Sequence, residues 1–248
     1  MKKINWRNLL DSGGVWIALF AFLAVASASN EYFRSPQNLI NITRQVSYSG
    51  IIALGMTFVI AAGGIDLAVG SLFALAGVVS LFAMNSAGGS EAVQLAAGFG
   101  AALGVGVAGG MLNGVLVGAA RVQPFIVTLG TMSIFRSLAL YFANAGLVPT
   151  SNSLYQPLVS AKAVGLPLAT LVLFGLTAVL AVVLRLTRFG RHVCAVGSNE
   201  RVACYSAIRT GVVKFWTYVL VGGLAGLSAF LLGGRLRMIC GLRCGGKL

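Results

Sequence analysis

Seven apolar segments, each about long enough to cross a lipid bilayer, leave this chain few ways to fold. A helix needs about twenty apolar residues to span the hydrocarbon core. The segments lie at Gly13–Ser29, Thr43–Ala62, Asp66–Met84, Ala92–Ala119, Phe125–Ala143, Gly165–Leu184 and Phe215–Gly234. Of the 248 residues, 58% are hydrophobic and only 9% are charged, whereas about a quarter of a soluble domain is charged. The sequence therefore predicts an all-α polytopic membrane protein with about seven transmembrane helices.

The basic residues predict how the chain is oriented in the lipid bilayer. The net charge is +13, but the Lys and Arg residues stand at the ends of the apolar segments and form no aromatic-studded patch, so we expect no nucleic-acid partner. Arg121 follows the fourth span, and six basic residues surround the connection after the sixth. Since cytoplasmic loops are rich in Lys and Arg, we expect a cytoplasmic N-terminus. The first span could instead be a signal peptide cleaved after Ala26–Ala28, but an uncleaved first helix is normal in a chain with further spans.

The stretch GGIDLAVGS, Gly63–Ser71, interrupts the apolar sequence with glycines and a carboxylate, Asp66. Glycine lets the chain turn with a positive φ, so Gly63 and Gly64 predict a tight break at the cytoplasmic side or a short way into the membrane. Asp66 then opens the third span, where the unpaired N–H groups of a helix N-terminus favour a carboxylate. A helix cap is one interpretation. The other is that this broken helix end lines a polar pathway, where irregular backbone is tolerated in a membrane protein.

Residues suited to catalysis or metal binding are scarce. The chain has five acidic residues and one histidine, His192. A zinc site built from His192, Cys194 and Cys204 would lack the ligand spacings that are typical of zinc motifs. No G-x-x-x-x-G-K-[ST] phosphate loop occurs in the sequence. We therefore expect a protein that is not an enzyme, with no catalytic residue, no metal site and no cofactor.

Three ordered motifs carry a family resemblance. They are GMTFVIAAGGIDLAVGSLFALAGVV (Gly55–Val79), NGVLVGAARVQPFIVTLGTMSIFRSLAL (Asn113–Leu140) and TRFGRHVCAVGSNERVACYSAI (Thr187–Ile208). Together they resemble the permease of ribose-type bacterial ABC sugar importers, and the similarity runs from Ser47 to about Gly233. The resemblance implies an inner-membrane permease for a monosaccharide. It also implies a cytoplasmic ATPase subunit, a periplasmic sugar-binding protein and a second permease subunit as partners. The missing phosphate loop agrees with this, because such a permease leaves ATP to its partner.

The resemblance places the docking surface for the ATPase in the segment Thr187–Lys214. Within it, SNERVACYSAI (Ser198–Ile208) predicts a short helix with Ser198 or Asn199 as N-cap and Glu200 in its first turn. A merely solvated basic loop is the alternative. The family usually has alanine at position 202 and glycine at position 207, where this chain has Val202 and Ala207. The expected coupling residues are Ser198, Asn199, Glu200, Arg201, Ala203 and Ile208.

Arg136 is a charged residue inside the fifth apolar segment. A helix beginning at Pro124 would carry it about 18 Å from the cytoplasmic end, within a core about 30 Å thick. Such a charge is costly unless it snorkels to the surface, belongs with a re-entrant segment (Pro124–Ser133) or faces a cavity. In the last case Arg136 and Asn113 line the sugar path or hold the helices that do, since a hydroxyl-rich substrate needs hydrogen-bonding groups but weak binding. The candidate path residues are Gly63, Gly64, Asp66, Gly70, Ser71, Asn113 and Arg136.

The segment 235–248 departs from the charge pattern of the remaining chain. Similar permeases continue past the seventh span with further spans. By parity, the four basic residues Arg235, Arg237, Arg243 and Lys247 would lie in the periplasm, against the positive-inside rule. We expect residues 1–234 to form the transmembrane permease domain and the basic tail to be a non-native end from a premature stop or frame shift. A genuine short form whose tail folds back to the cytoplasm is the alternative.

Other function classes are open from the residues alone. The transported solute could be a nucleoside or another small polar compound, since the binding protein sets most of the specificity in the family. An ion-coupled secondary transporter would usually carry several carboxylates within the membrane, and Asp66 alone is thin support for one. The shortage of acid–base and nucleophilic residues argues against a membrane enzyme.

Overall fold

The computed structural model describes residues 6–144, 146, 148–150, 152–163 and 165–241, and it describes the side chains of those residues from 13 to 234. Helices make up most of this part of the chain. They are α1 (Trp6–Ser29), α2 (Pro36–Ala61), α3 (Val69–Ser86), α4 (Glu91–Gly118), α5 (Pro124–Phe142), α6 (Tyr155–Ser160), α7 (Leu168–Leu186), α8 (Arg188–Ser198), α9 (Glu200–Tyr205) and α10 (Thr210–Gly241). A 3₁₀ helix (Glu31–Arg34) follows α1, and a small antiparallel hairpin of β1 (Lys162–Ala163) and β2 (Leu166–Pro167) precedes α7.

Six helices in the described part of the chain are long and apolar enough to cross a membrane: α2, α3, α4, α5, α7 and α10. The apolar part of α1, Gly13–Ser29, is shorter than these. The all-α polytopic fold is confirmed. The prediction of about seven spans is close to what is observed, which is six long helices and α1. Some boundaries differ from the prediction. For example, α2 begins at Pro36 because Ser35 accepts a hydrogen bond from the Asn38 N–H (3.2 Å) and proline is favoured at the first helical position.

The chain forms two compact units, one up to Gln45 and one from Val46 onwards. The first unit contains α1, the 3₁₀ helix and the beginning of α2. Its 3₁₀ helix starts where the Asn30 side chain accepts a hydrogen bond from the Tyr32 N–H (2.8 Å). Every candidate site residue lies in the second unit, on or between its helices.

The most extensive helix–helix contact of the second unit joins α4 and α10. A Cβ added to Gly106 of α4 would overlap the Gly222 carbonyl oxygen, and one added to Gly110 would overlap the Tyr218 carbonyl oxygen. Backbones that approach so closely leave no room for side chains, and small residues at helix interfaces are a common means of packing in membranes. Helix α3 packs against both α4 and α10, and α5 packs against α3.

The connection between α5 and α7 covers the end of α4 at which that helix begins. The Asn152 side chain donates from Nδ2 to the Glu91 carbonyl oxygen (2.8 Å). Tyr155 of α6 is fully buried, and its hydroxyl donates to the Phe230 carbonyl oxygen (2.6 Å). These hydrogen bonds join α6 and the preceding loop to both α4 and α10.

The backbone of α10 continues past the predicted end of the last span at Gly234 and stays helical to Gly241. The side chains from Arg235 onwards and the whole of 242–248 lie outside the described residues. The expectation of a non-native basic tail falls on this part of the sequence and therefore stays a prediction.

Candidate functional site

The break between α2 and α3 is a tight glycine turn. Gly63 has a φ of +76°. Its N–H donates to the Ile60 carbonyl oxygen (2.9 Å), and the Gly64 N–H donates to that of Val59 (2.9 Å). These two bonds form a Schellman motif, which satisfies carbonyl groups that the end of a helix otherwise leaves unpaired. Because the left-handed conformation costs a residue with a side chain about 1–2 kcal/mol, glycine suits the position, and the predicted break between the two spans is confirmed.

Asp66 is buried immediately after this turn. The residue is only 4% exposed, and its Oδ1 accepts a hydrogen bond from the Ala68 N–H (2.8 Å). The hydroxyl of Tyr218, on α10, donates to the Ile65 carbonyl oxygen (2.9 Å). We call residues Gly63–Asp66 the glycine turn segment; it is held from within by the Asp66 carboxylate and from α10 by Tyr218.

Asp66 does not open α3 as the sequence suggested. The helix begins at Val69, and Ala68 in the N-cap position has no side-chain hydrogen bond. The physical reason is that the Asp66 carboxylate bonds two residues ahead, which closes a turn before helical geometry begins. Burial raises the pKa of Asp66 to about 6, although hydrogen bonds from the backbone of Ala68 and Val69 act to lower it.

The other small and polar path candidates lie in different surroundings. Ser71 is buried near the start of α3, whereas Gly70 is exposed with no atom within 4 Å of a Cβ added there. Asn113 lies on α4 and is fully buried. Among the described residues, neither the nitrogen nor the oxygen of its carboxamide has a hydrogen-bond partner. An unpaired buried amide costs about 1–3 kcal/mol, so this position favours a partner such as water or a hydroxyl-bearing substrate.

Arg136 lies on an exposed face of α5. The buried residues of that helix include Val127, Thr131 and Phe135, and the helix packs against α3. The helix runs without interruption from Pro124 to Phe142, which favours a span over the alternative of a re-entrant segment. Within the described chain, the Arg136 guanidinium has no carboxylate at ion-pair distance. Arg136 therefore faces lipid, water or another subunit.

The segment predicted to dock the ATPase contains two helices rather than one. Ser198 ends α8, and Asn199 is the N-cap of α9, where its Oδ1 accepts from the N–H groups of Arg201 (3.1 Å) and Val202 (3.2 Å). Of the two predicted N-caps, Asn199 is therefore the one observed. The remaining predicted coupling residues lie on α9 or just after it: Glu200 and Arg201 are exposed, Ala203 is buried, and Ile208 is partly buried.

Ala207 has a backbone conformation that favours glycine, the residue that the family resemblance implies at this position. It has a φ of +60° at the end of α9, where its N–H donates to the Cys204 carbonyl oxygen (3.1 Å) and the Ile208 N–H donates to that of Ala203 (3.1 Å). This is a second Schellman motif, with alanine in the left-handed position that glycine normally fills. The helix therefore ends at Tyr205 and does not continue to Ile208 as the sequence had predicted.

A cavity of about 980 Å³ brings the glycine turn and the predicted docking segment, Thr187–Lys214, to the same end of the helix bundle. Gly63 lines it together with Gly118 at the end of α4 and Arg121 in the α4–α5 connection. Glu200 and Lys214 also line it, and their side chains form an ion pair at 2.7 Å. Gly63 from the predicted path residues and Glu200 from the predicted coupling residues are therefore neighbours in the fold.

A family of permease components matches residues 38–239, and its description reads "branched-chain amino acid transport system / permease component". The chain belongs to this family. The permease is 35% identical to the ribose import permease of Bacillus subtilis over 237 residues, which are 95% of this chain and 72% of that protein. It is 37% identical to the ribose import permease of Escherichia coli K12 over 87% of this chain and 67% of the relative.

A third relative of the permease is named as a D-allose transport system permease, from Escherichia coli K12. It is 33% identical over 95% of this chain and 71% of its own length. No solved structure matches the permease. Its family and the six long apolar helices among its described residues make it a multi-pass inner-membrane protein of the transport-permease type.

Two structural features of the permease were not predicted from the sequence. The first is α8, whose buried residues Gly190, Val193 and Val196 recur at helical spacing and predict an amphipathic helix. The second is the glycine repeat of α4, in which glycine recurs at every fourth residue from Gly106 to Gly118. This spacing is typical of membrane helices that pack closely.

Proposed function

We propose that this permease imports a monosaccharide, driven by a cytoplasmic ABC ATPase and supplied by a periplasmic sugar-binding protein. The observation that carries the proposal is the similarity to ribose import permeases over most of the chain. A third similar protein is named for allose, another monosaccharide. The permease acts as a dimer with a second permease subunit, which is either another copy or a related chain.

The proposed orientation puts the N-terminus in the cytoplasm, and two features support it. Arg121, Arg209 and Lys214 line one cavity, which lies where α4 ends and α10 begins. Arg185, Arg188 and Arg191 lie at the junction of α7 and α8, in the same connection that contains α9. Since positive charge favours the cytoplasmic side, the glycine turn and the docking segment face the compartment that holds ATP.

The proposed sugar path includes Asp66, Ser71, Asn113 and Arg136, with the glycine turn at its cytoplasmic end. A neutral sugar offers hydroxyl groups as donors and acceptors, and a fast path must bind it weakly. The carboxamide of Asn113 has no hydrogen-bond partner among the described residues, which supports a role of this kind, because a passing hydroxyl would satisfy it. Arg136 would face the water-filled part of the path, which avoids the cost of a charge in lipid.

Uptake in the native bacterium tests the proposed transport. Deletion of the gene should abolish uptake of at least one sugar in a panel of labelled ribose, xylose, galactose and allose, and a plasmid copy should restore it. Uptake should stop when ATP is depleted and should persist when a protonophore collapses the proton gradient while ATP is maintained. Unchanged uptake of every sugar, or loss of uptake with the protonophore alone, would contradict the proposal.

Arg136→Gln tests the proposed path, with Lys162→Gln as its control. Lys162 lies in the exposed hairpin β1–β2, outside the proposed path. At equal membrane levels, we expect Arg136→Gln to reduce uptake and Lys162→Gln to leave it unchanged. Equal uptake in the two variants would limit Arg136 to a structural role.

Crosslinking tests the docking surface. In a variant with its native cysteines replaced by serine, Glu200→Cys should crosslink to the ATPase, and the yield should change when nucleotide is added. Lys162→Cys, in the hairpin that the proposed orientation puts on the periplasmic side, should give no such adduct. Reaction of Glu200→Cys with a reagent confined to the periplasm would overturn both the orientation and the docking surface.

A further inference from the structure

The docking segment rests on the end of α2 through the apolar face of α8. Phe189 stacks on Phe58 with ring centroids 6.2 Å apart and an angle of 15° between the rings. Val193 and Val196 are buried in the same cluster as Phe58 and Ala62. This packing joins a helix of the docking segment to the last turns of the span that leads into the glycine turn.

At the end of α8 the contact with α2 is between backbones. A Cβ added to Gly197 would overlap the Ala61 carbonyl oxygen and would stand 3.2 Å from the Gly63 nitrogen. A Cβ added to Gly63 would stand 3.6 Å from the Gly197 Cα. Side chains can absorb small displacements by changing rotamer, but two backbones in contact cannot. A displacement of α8 at Gly197 must therefore move the glycine turn or open a gap beside it.

The opposite side of the glycine turn segment is held by α10. Tyr218 donates its hydroxyl hydrogen to the Ile65 carbonyl oxygen (2.9 Å), and a Cβ added to Gly64 would stand 3.1 Å from the Tyr218 hydroxyl oxygen. The same helix carries Lys214, which pairs with Glu200 of α9 (2.7 Å). Both helices of the docking segment are thus connected to the glycine turn segment, α8 directly and α9 by way of α10.

We propose that Gly197 is a positioning residue that presses the glycine turn against α10, so that displacement of the docking segment is transmitted through this backbone contact to Asp66. This inference rests on the proposed function, which assigns docking to α8 and α9 and the sugar path to Asp66. It adds the physical link between them. Only glycine at position 197 lets α8 approach α2 closely enough for the link to exist.

Hydrogen exchange of the purified chain in lipid nanodiscs tests the contact without any transport partner. The variant is Gly197→Ala, and the matched control is Gly175→Ala, because a Cβ at Gly175 meets no atom within 4 Å. Amides of residues 62–70 should exchange at least about fivefold faster in Gly197→Ala, as expected when local stability falls by about one hydrogen bond. The control should exchange like the parent. Tyr218→Phe, which removes the bond to Ile65, should accelerate the same amides.

Transport tests the consequence for coupling. With the ATPase and binding protein present, Gly197→Ala should lower sugar uptake per ATP hydrolysed by about tenfold, within the usual range of coupling energies. ATP hydrolysis itself should stay near the parental rate, because α9 still docks. An uptake and a hydrolysis rate that fall in the same proportion would mean that docking is lost and would overturn the proposed link.

The exchange result decides the inference independently of the sugar. Parental exchange of residues 62–70 in Gly197→Ala would overturn it, whatever happens to uptake. If Gly197→Ala does not accumulate in the membrane, parental exchange in Tyr218→Phe would overturn it as well. If exchange responds as expected but no sugar is carried, the contact stands and the proposed function fails.

Discussion

Replacing Asp66 by asparagine should stabilise the permease at neutral pH while impairing transport. Asp66 is 4% exposed, and burial raises the pKa of its carboxyl group from 3.8 to about 6. The hydrogen bond that its Oδ1 accepts from the Ala68 N–H can be kept by an asparagine oxygen. The substitution therefore removes a buried charge while preserving the turn.

The size of the effect follows from the pKa. The rise from 3.8 to about 6 corresponds to about 3 kcal/mol at 1.36 kcal/mol for each pH unit. Because the pKa is higher in the folded protein than in the unfolded one, the folded protein holds this proton more tightly. The contribution of Asp66 to stability is therefore most favourable below about pH 4, is lost as the pH rises to about 6, and is constant above that.

Thermal unfolding in detergent, measured at several pH values, tests this reasoning. At pH 7.5 the midpoint of Asp66→Asn should exceed that of the parent by up to about 10 °C, given about 2–4 °C for each kcal/mol in a chain of this size. At pH 4 the two midpoints should agree. The control is Glu31→Gln, at an exposed carboxylate in the 3₁₀ helix. A lower midpoint for Asp66→Asn at pH 7.5, or a gap that is the same at every pH, would refute the electrostatic argument.

Uptake by the same variant separates a structural from a functional Asp66. A residue that only closes the turn should tolerate asparagine, because the side-chain acceptor is retained. We expect uptake to fall even though stability rises, since the carboxylate is proposed to act in the sugar path. Parental uptake at equal membrane levels would leave Asp66 with a structural role alone.

Three further substitutions test the packing of the fold. Ala207→Gly should raise the stability of the docking segment by about 1 kcal/mol, because Ala207 has a φ of +60° and glycine avoids the strain of that conformation. Slower proteolytic cleavage in α9 would show the gain in stability, and faster cleavage would contradict it. Gly106→Val should prevent α4 from packing stably against α10, because the valine side chain would overlap the Gly222 carbonyl oxygen. An unchanged gel-filtration profile and yield would show that α4 and α10 can separate at no cost. Tyr155→Phe removes the hydrogen bond to the Phe230 carbonyl oxygen and should lower the free energy of unfolding by about 1 kcal/mol, which lowers the unfolding midpoint. A midpoint equal to that of the parent would contradict the role of this bond.

Many residues of the candidate site could be identified from the sequence, but their arrangement in space could not be predicted from it. The break at Gly63 and Gly64 was predicted because only a few residues determine a turn. The N-cap Asn199 was one of two residues predicted for the same reason. The position of Asp66 outside α3 was not, because the sequence does not show whether a carboxylate caps a helix or closes a turn before it. The exposure of Arg136 was also undetermined, since it depends on which face of α5 packs against α3.

The sequence by itself determined the membrane character, the approximate positions of the spans and the family, because these depend on the composition of local segments and on motifs that are continuous in the chain. Only the tertiary structure decided which helices touch. The pairing of α4 with α10, the support of the glycine turn by Tyr218 and the backbone contact between Gly197 and Gly63 all join residues that are distant in sequence. A glycine in the sequence permits such a close approach, but the partner backbone that uses the space is set by how the helices pack around it.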